Sequence, residues 1–140
     1  MFLADRLERL LDEFAALEDP HDRLAALVDR SKHTPPLPAS ERVEANRVHA
    51  CVSVVWLIGE VREDRCHFRT DAESPLVRAL VVFLSDFFTG APVVEVAASS
   101  LEPLEAIGVL RNLSPTRRNG VAAVRNAIRA FAHQSSAGVK

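Results

Sequence analysis

No apolar run in this 140-residue chain approaches the ~18–20 residues that cross a bilayer as a helix. The first residues, MFLADRLERLLDEF, carry charge throughout. A signal peptide would open with a charge-free apolar stretch behind a basic start, so the expectation is a cytoplasmic protein. Cysteine is scarce, with only Cys51 and Cys66. Two thiols are too few for an all-cysteine zinc site, and a reducing cytoplasm disfavours joining them. The five glycines are scattered and cannot build a phosphate cradle. No Ser-His-Asp order and no glycosidase-like carboxylate pair is present. Acid is missing altogether from residues 111–140, which hold five arginines and one lysine.

The composition that remains is that of a globular protein, with 48% hydrophobic and 26% charged residues. The length suits one domain over 1–140 with a core large enough to need neither disulfide nor metal. Residues 1–30 hold eight acids and four arginines. The acidic start and the basic end either pair with each other or leave a basic surface for an acidic partner. Nucleic acid is not expected, since the basic segment has one aromatic, Phe131, and no recognised motif.

Leu3, Leu7, Leu10, Phe14 and Leu17 form one helical stripe over 3–17. Asp19 and Pro20 are placed to cap and open a second helix. TPPLPAS ends it, and residues 34–40 read as a linker. From Arg47 the period becomes two. Val48, Val52, Val54, Trp56 and Ile58 share one side; His49, Cys51 and Ser53 share the other, and from Val55 onward the odd side becomes apolar too, so the strand should enter a covered sheet there. VREDR reads as a turn and CHFRT as a returning strand, with a further strand around Val48, giving a three-stranded antiparallel sheet. Ser74 and Pro75 start an apolar helix in which only Arg78 and Asp86 are charged, so it should be central. Short helices are expected in 93–98 and 102–108. A last helix begins at Ser114 and Pro115, with Val121, Val124, Ile128 and Phe131 on its buried side. The tail 134–140 should fray. The sum is an α+β fold with helices packed on the sheet.

Free cysteine is often a small buried hydrophobe, and Cys66, beside Phe68, reads that way. Cys51 has polar neighbours and sits at the start of its strand, where a partner can reach it. Arg117 and Arg118 occupy the first turn of a helix, where arginine is unfavourable unless it meets an acid or holds an anion or thiolate. A neighbouring guanidinium lowers a thiol's pKa. His49, Cys51, Cys66 and His67 also match a tetrahedral zinc set in type, although adjacent strand residues point to opposite faces.

Three blocks, VHACVSVVWL, TDAESPLVRAL and LRNLSPTRRNGVAAV, resemble in order and spacing the SufE family of sulfur-acceptor proteins, over residues 20–132. The resemblance implies a compact fold like that of iron–sulfur scaffold proteins. It implies that Cys51 takes persulfide sulfur from a pyridoxal-phosphate-dependent cysteine desulfurase, stimulates that enzyme, and passes the sulfur to an iron–sulfur scaffold. Ser53, Trp56, Glu73, Arg117 and Asn119 would be supporting residues. The protein would be a carrier with no cofactor or metal of its own, monomeric or homodimeric, not an enzyme turning over a free substrate. The alternatives are a zinc- or cluster-binding scaffold of the same fold and a plain protein-interaction module. The chain departs from the family pattern at Ala50, where a glycine is usual, at Ala72-Glu73-Ser74, where Ser-Asp-Ala is common, and at Ala79, also usually glycine.

Overall fold

A computed structural model describes residues 2–49 and 53–138. The first helix, α1, spans Phe2–Phe14 and buries Leu3 and Phe14. Helix α2, Pro20–Ser31, starts as its sequence dictates. The Asp19 carboxylate accepts the His21 backbone N–H, and Pro20 occupies the first position, where its missing N–H costs nothing. The proline-rich stretch that follows is a loop, but it is pinned. Leu37 is buried, and its N–H donates to Asp71 Oδ2 at 3.0 Å.

Two strands form the sheet, β1 at Val55–Arg62 and β2 at Arg65–Ala72, paired antiparallel. Their two-residue turn, Glu63-Asp64, has positive φ at both positions, the twist that suits a tight hairpin. The expected third strand is absent among the described residues. Val48 donates its N–H to the Val55 carbonyl at 2.9 Å, and Arg47 makes one bridge to Trp56. A 3-10 turn at Glu44–Asn46 then leads the chain away, so no ladder grows.

The alternation read from sequence also resolves differently. The register sets Val55, Leu57, Gly59 and Val61 opposite Ala72, Thr70, Phe68 and Cys66. All four of those β2 residues and Val55 are buried, while Leu57 and Gly59 are half-buried, as Trp56 and Ile58 are, and Val61 is exposed at the hairpin end. The odd side of β1 is therefore the covered one. Gly59 marks it, because the Phe131 ring packs directly on its Cα.

Helix α3, Pro75–Phe88, is the central element expected, with ten of its 14 residues buried. The chain beyond it turns back along the free edge of β2. Gly90 donates to the Cys66 carbonyl at 2.7 Å, Cys66 donates to Ala91 at 2.9 Å, and the Phe68 N–H reaches Thr89 Oγ1 at 2.9 Å. Gly90 has φ +86°, a conformation that favours glycine. This segment shields an edge that would otherwise be open to pairing. Arg6 of α1 donates to the carbonyls of Phe87 and Thr89 at 2.7 and 2.6 Å, closing the end of α3. Helices α4, Val93–Ala98, and α5, Pro103–Ala106, fall where expected. Helix α6, Pro115–Gly138, is longer than expected and stays helical through 134–138. Val121, Val124 and Ile128 of α6 are buried, and Phe131 meets Phe68 edge-on with centroids 5.5 Å apart.

Candidate functional site

The three sequence blocks converge because three elements begin at the same end of the molecule. Helix α3 returns along β2 from its end to its start, so it runs in the direction of β1. Helix α6 runs the same way. Val121 lines a cavity with Leu84, the Arg125 guanidinium lies 4.3 Å over the Phe88 ring, Phe131 abuts Gly59, and Ser136 lies by the hairpin at Asp64. Going back from Gly59 to Ser53 covers about 20 Å of strand. Going back from Phe131 to Arg117 covers about 21 Å of helix. Arg117 thus lies toward the end of the molecule where β1 starts, level with the middle of α3 by the meeting of Val121 and Leu84.

Ala50, Cys51 and Val52 lie outside the described residues, so the expectations for the thiol and for the glycine replacement fall there. Their flanks are fixed. Val48 and Val55 are hydrogen-bonded on one side. On the other, Glu73 donates its N–H to the Val54 carbonyl at 3.1 Å, which ties the second block to the first. Ser53 is half-buried and Glu73 exposed. Ser74 caps α3, its hydroxyl accepting from the Val77 N–H at 3.5 Å. Trp56 is half-buried, with the Arg42 guanidinium 5.9 Å over its ring and its carbonyl accepting from the Thr70 hydroxyl at 2.6 Å.

The third block supplies cationic side chains without counter-ions. Ser114 caps α6, its hydroxyl accepting from the Arg117 N–H at 3.3 Å. Arg117, Arg118 and Asn119 are exposed. Neither arginine has an ion-pair partner among the described residues, and the same holds for Arg111 just upstream. The carboxylate nearest Arg125 is Glu102, and Arg129 donates to Ser99. The basic end is therefore not neutralised by the acidic start. Two helix N-termini add their own partial positive charge at this end of the sheet.

A residue that sequence reasoning passed over organises this end. Asp71, 4% exposed, accepts from Leu37 N–H and Ala72 N–H and from Arg78 Nε at 2.8 Å. Arg78 in turn donates to the carbonyls of Ser31 and Thr34 at 2.6 and 2.8 Å. One buried pair joins the end of α2, the proline loop, β2 and α3. Its signal was present, since Arg78 is one of two charges in an otherwise apolar helix.

The zinc set does not assemble. Cys66 pairs with Val61 at the far end of β1, about 26 Å of strand from Ser53. It is 0% exposed, and burial pushes its thiol pKa up. His49 is exposed and 3.1 Å from Glu44. Among the described residues no group of three or more His, Cys, Asp or Glu is placed to hold a metal. No helix among them is long and apolar enough to cross a membrane.

Comparison with known proteins points to a family that spans most of the chain. The pattern of SufE, described as an Fe-S metabolism associated domain, matches residues 8–132. A SufE-like protein of Rhizobium etli is 32% identical over 134 residues, covering 92% of this chain and 90% of that protein. SufE-like protein 1 of Arabidopsis thaliana, chloroplastic/mitochondrial, is 28% identical over 120 residues, which is 85% of this chain and 32% of the longer plant protein. The solution structure of a hypothetical protein from Thermus thermophilus superposes with a TM-score of 0.76 at 21% identity, covering 94% of this chain and 96% of that one.

Proposed function

This chain belongs to the SufE family and is thereby associated with Fe–S metabolism, and from that premise we propose that Cys51 carries sulfur between two proteins. The Cys51 thiolate attacks the terminal sulfur of a persulfide on a cysteine desulfurase. A new S–S bond forms at Cys51 as the donor's S–S bond breaks, and the donor cysteine leaves as its thiolate. No external oxidant or reductant is needed, because sulfane sulfur and charge are both handed over. A second exchange of the same kind delivers the sulfur to an iron–sulfur scaffold. Pyridoxal phosphate belongs to the desulfurase, and the carrier takes part covalently without turning over a free substrate. A reducing cytoplasm suits a thiol that must stay available.

What supports this reading is that Glu73 is tied to the Val54 flank of Cys51 and that Arg117, without an ion-pair partner among the described residues, lies toward the same end of the sheet. The starts of α3 and α6 add positive potential there. Such an environment favours thiolate over thiol and stabilises a persulfide anion. Arg117 is the residue assigned to that anion. Asn119, in the same helical turn, and Glu73 with Ser53 and Trp56, beside the strand start, complete the surface offered to the desulfurase. The scaffold alternative draws no support from the geometry, since His49 and Cys66 lie at opposite ends of β1.

The test is incubation with a desulfurase and cysteine, followed by peptide mass spectrometry. The Cys51 peptide should gain about 32 Da per sulfur held as persulfide. Arg117→Ala should accept sulfur at least tenfold more slowly, and Cys51→Ser should accept none. Sulfur found on Cys66, or retained by Cys51→Ser, overturns the assignment.

A further inference from the structure

We propose that the cavity between α3, α5 and α6 binds a small apolar monocarboxylate through Arg118 and Arg125, a reading that does not depend on sulfur transfer although Arg118 also belongs to the basic patch. The cavity has a volume of about 310 Å³ and apolar walls formed by Leu84, Leu104, Leu110, Val121 and Ala122. That is the lower end of the range for small-molecule sites.

Arg125 is the unusual member of this lining. It is 3% exposed. Its Nη2 donates to the Ser99 carbonyl at 2.9 Å, and its Nε donates to Leu101 at 3.3 Å and lies 3.8 Å from Glu102 Oε1. The guanidinium is planar, so the edge serving Ser99 and Leu101 leaves Nη1 on its opposite side. Nη1 is buried and has no acceptor among the described residues. Burial lowers this pKa to about 10, which leaves the group charged at neutral pH. A buried donor on a cation that lacks its acceptor is costly, and an anion is the species that corrects it.

Arg118 stands two turns earlier on the same face of α6, lines the same cavity, and has no counter-ion among the described residues. Asn126 adds an amide to the lining. Glu102 and Glu105 also border the cavity, and they set the charge of what can enter. Two arginines are balanced by two glutamates, so a carboxylate is held by the open Nη1 donor and the Arg118 guanidinium rather than by excess charge, and a dianion is repelled. The leucine and valine walls require the rest of the ligand to be hydrocarbon.

Hexanoate is a suitable probe, with hexan-1-ol as its uncharged counterpart, titrated into labelled protein and followed by NMR. Hexanoate should shift the methyl signals of Leu84, Leu104 and Val121 and bind with Kd of about 1 mM or tighter. Hexan-1-ol should bind at least tenfold more weakly. Arg118→Gln, an exposed change that spares the fold, should weaken hexanoate at least tenfold at an unchanged melting temperature. Three results overturn the proposal: no shift of these methyls up to about 10 mM hexanoate, equal binding of the alcohol, or undiminished binding by Arg118→Gln. Arg125→Lys keeps the charge without the planar guanidinium, so retained affinity there would also refute the part assigned to Nη1 of Arg125.

Discussion

Asp71 and Cys66 sit in the same strand and show how burial changes the meaning of a polar side chain. Asp71 has all of its neighbours arranged to accept its charge, from two backbone N–H groups and Arg78. Asp71→Ala leaves the largely covered Arg78 guanidinium without its counter-ion. Urea unfolding should show a loss of about 3–5 kcal/mol, the range for breaking a buried pair; a loss below about 1 kcal/mol would place the pair among surface-like contacts. Cys66 has no such support. Its thiol is raised from an ordinary value of 9.0 by desolvation alone. The folded state therefore keeps the Cys66 proton at a pH where the unfolded chain loses it. Stability linked to this thiol is complete below pH 9.0 and is lost as pH rises through the folded value. The stability advantage of wild type over Cys66→Ala should shrink on going from neutral to alkaline pH in paired unfolding titrations. In native protein at neutral pH, Cys66 should also resist iodoacetamide and react only after denaturation.

The packing of α6 on the sheet depends on a missing side chain. A Cβ at Gly59 would meet the Phe131 ring at 2.8 Å. Gly59→Ala must push α6 or the ring outward, at a cost of about 1–3 kcal/mol for overpacking. The ring is half-buried, so part of the strain can relax. Pairing the change with Phe131→Leu should recover much of the loss, and a double-mutant cycle by thermal melting reads that coupling. Additive effects would show that the two residues do not meet. The same helix carries its arginines to the end of the sheet where Cys51 is flanked. A shift of α6 therefore also reaches the candidate site.

At the scale of the whole molecule, arginines elsewhere meet acids, as Arg30 meets Glu13 and Arg69 meets Glu41, but one end carries cations that do not. Arg111, Arg117 and Arg118 face solvent at one end without counter-ions among the described residues. Such a patch speeds encounter with an acidic partner. Arg111→Glu combined with Arg118→Glu should slow association with the desulfurase about tenfold at low salt. The deficit should fade as ionic strength rises toward about 1 M, where the Debye length falls to about 3 Å. A deficit that persists in high salt would point to lost contacts instead of lost steering.

Helix positions, the Asp19 and Ser74 caps, the central α3 and the family were legible in the sequence, because periodicity, proline and capping residues act within a few neighbours of themselves. The third block announced itself by arginines in a first helical turn, a local anomaly. The face of β1 was legible only in part, since the odd side reads as apolar from Val55 onward while the even row reads as apolar from Val48 through Ile58. Glycine has no side chain to count, and only the Phe131 ring shows that Gly59 lies on the covered side. The missing third strand had the same cause, since a ladder needs a partner path and the Glu44–Asn46 turn removes it. The sequence by itself determined which elements form and which residue types carry the chemistry. Tertiary structure alone decided that the starts of β1, α3 and α6 share one end, that Asp71 and Arg78 bind that end together, and that Cys66 lies far from it. Those are relations between segments distant in the chain, settled by packing.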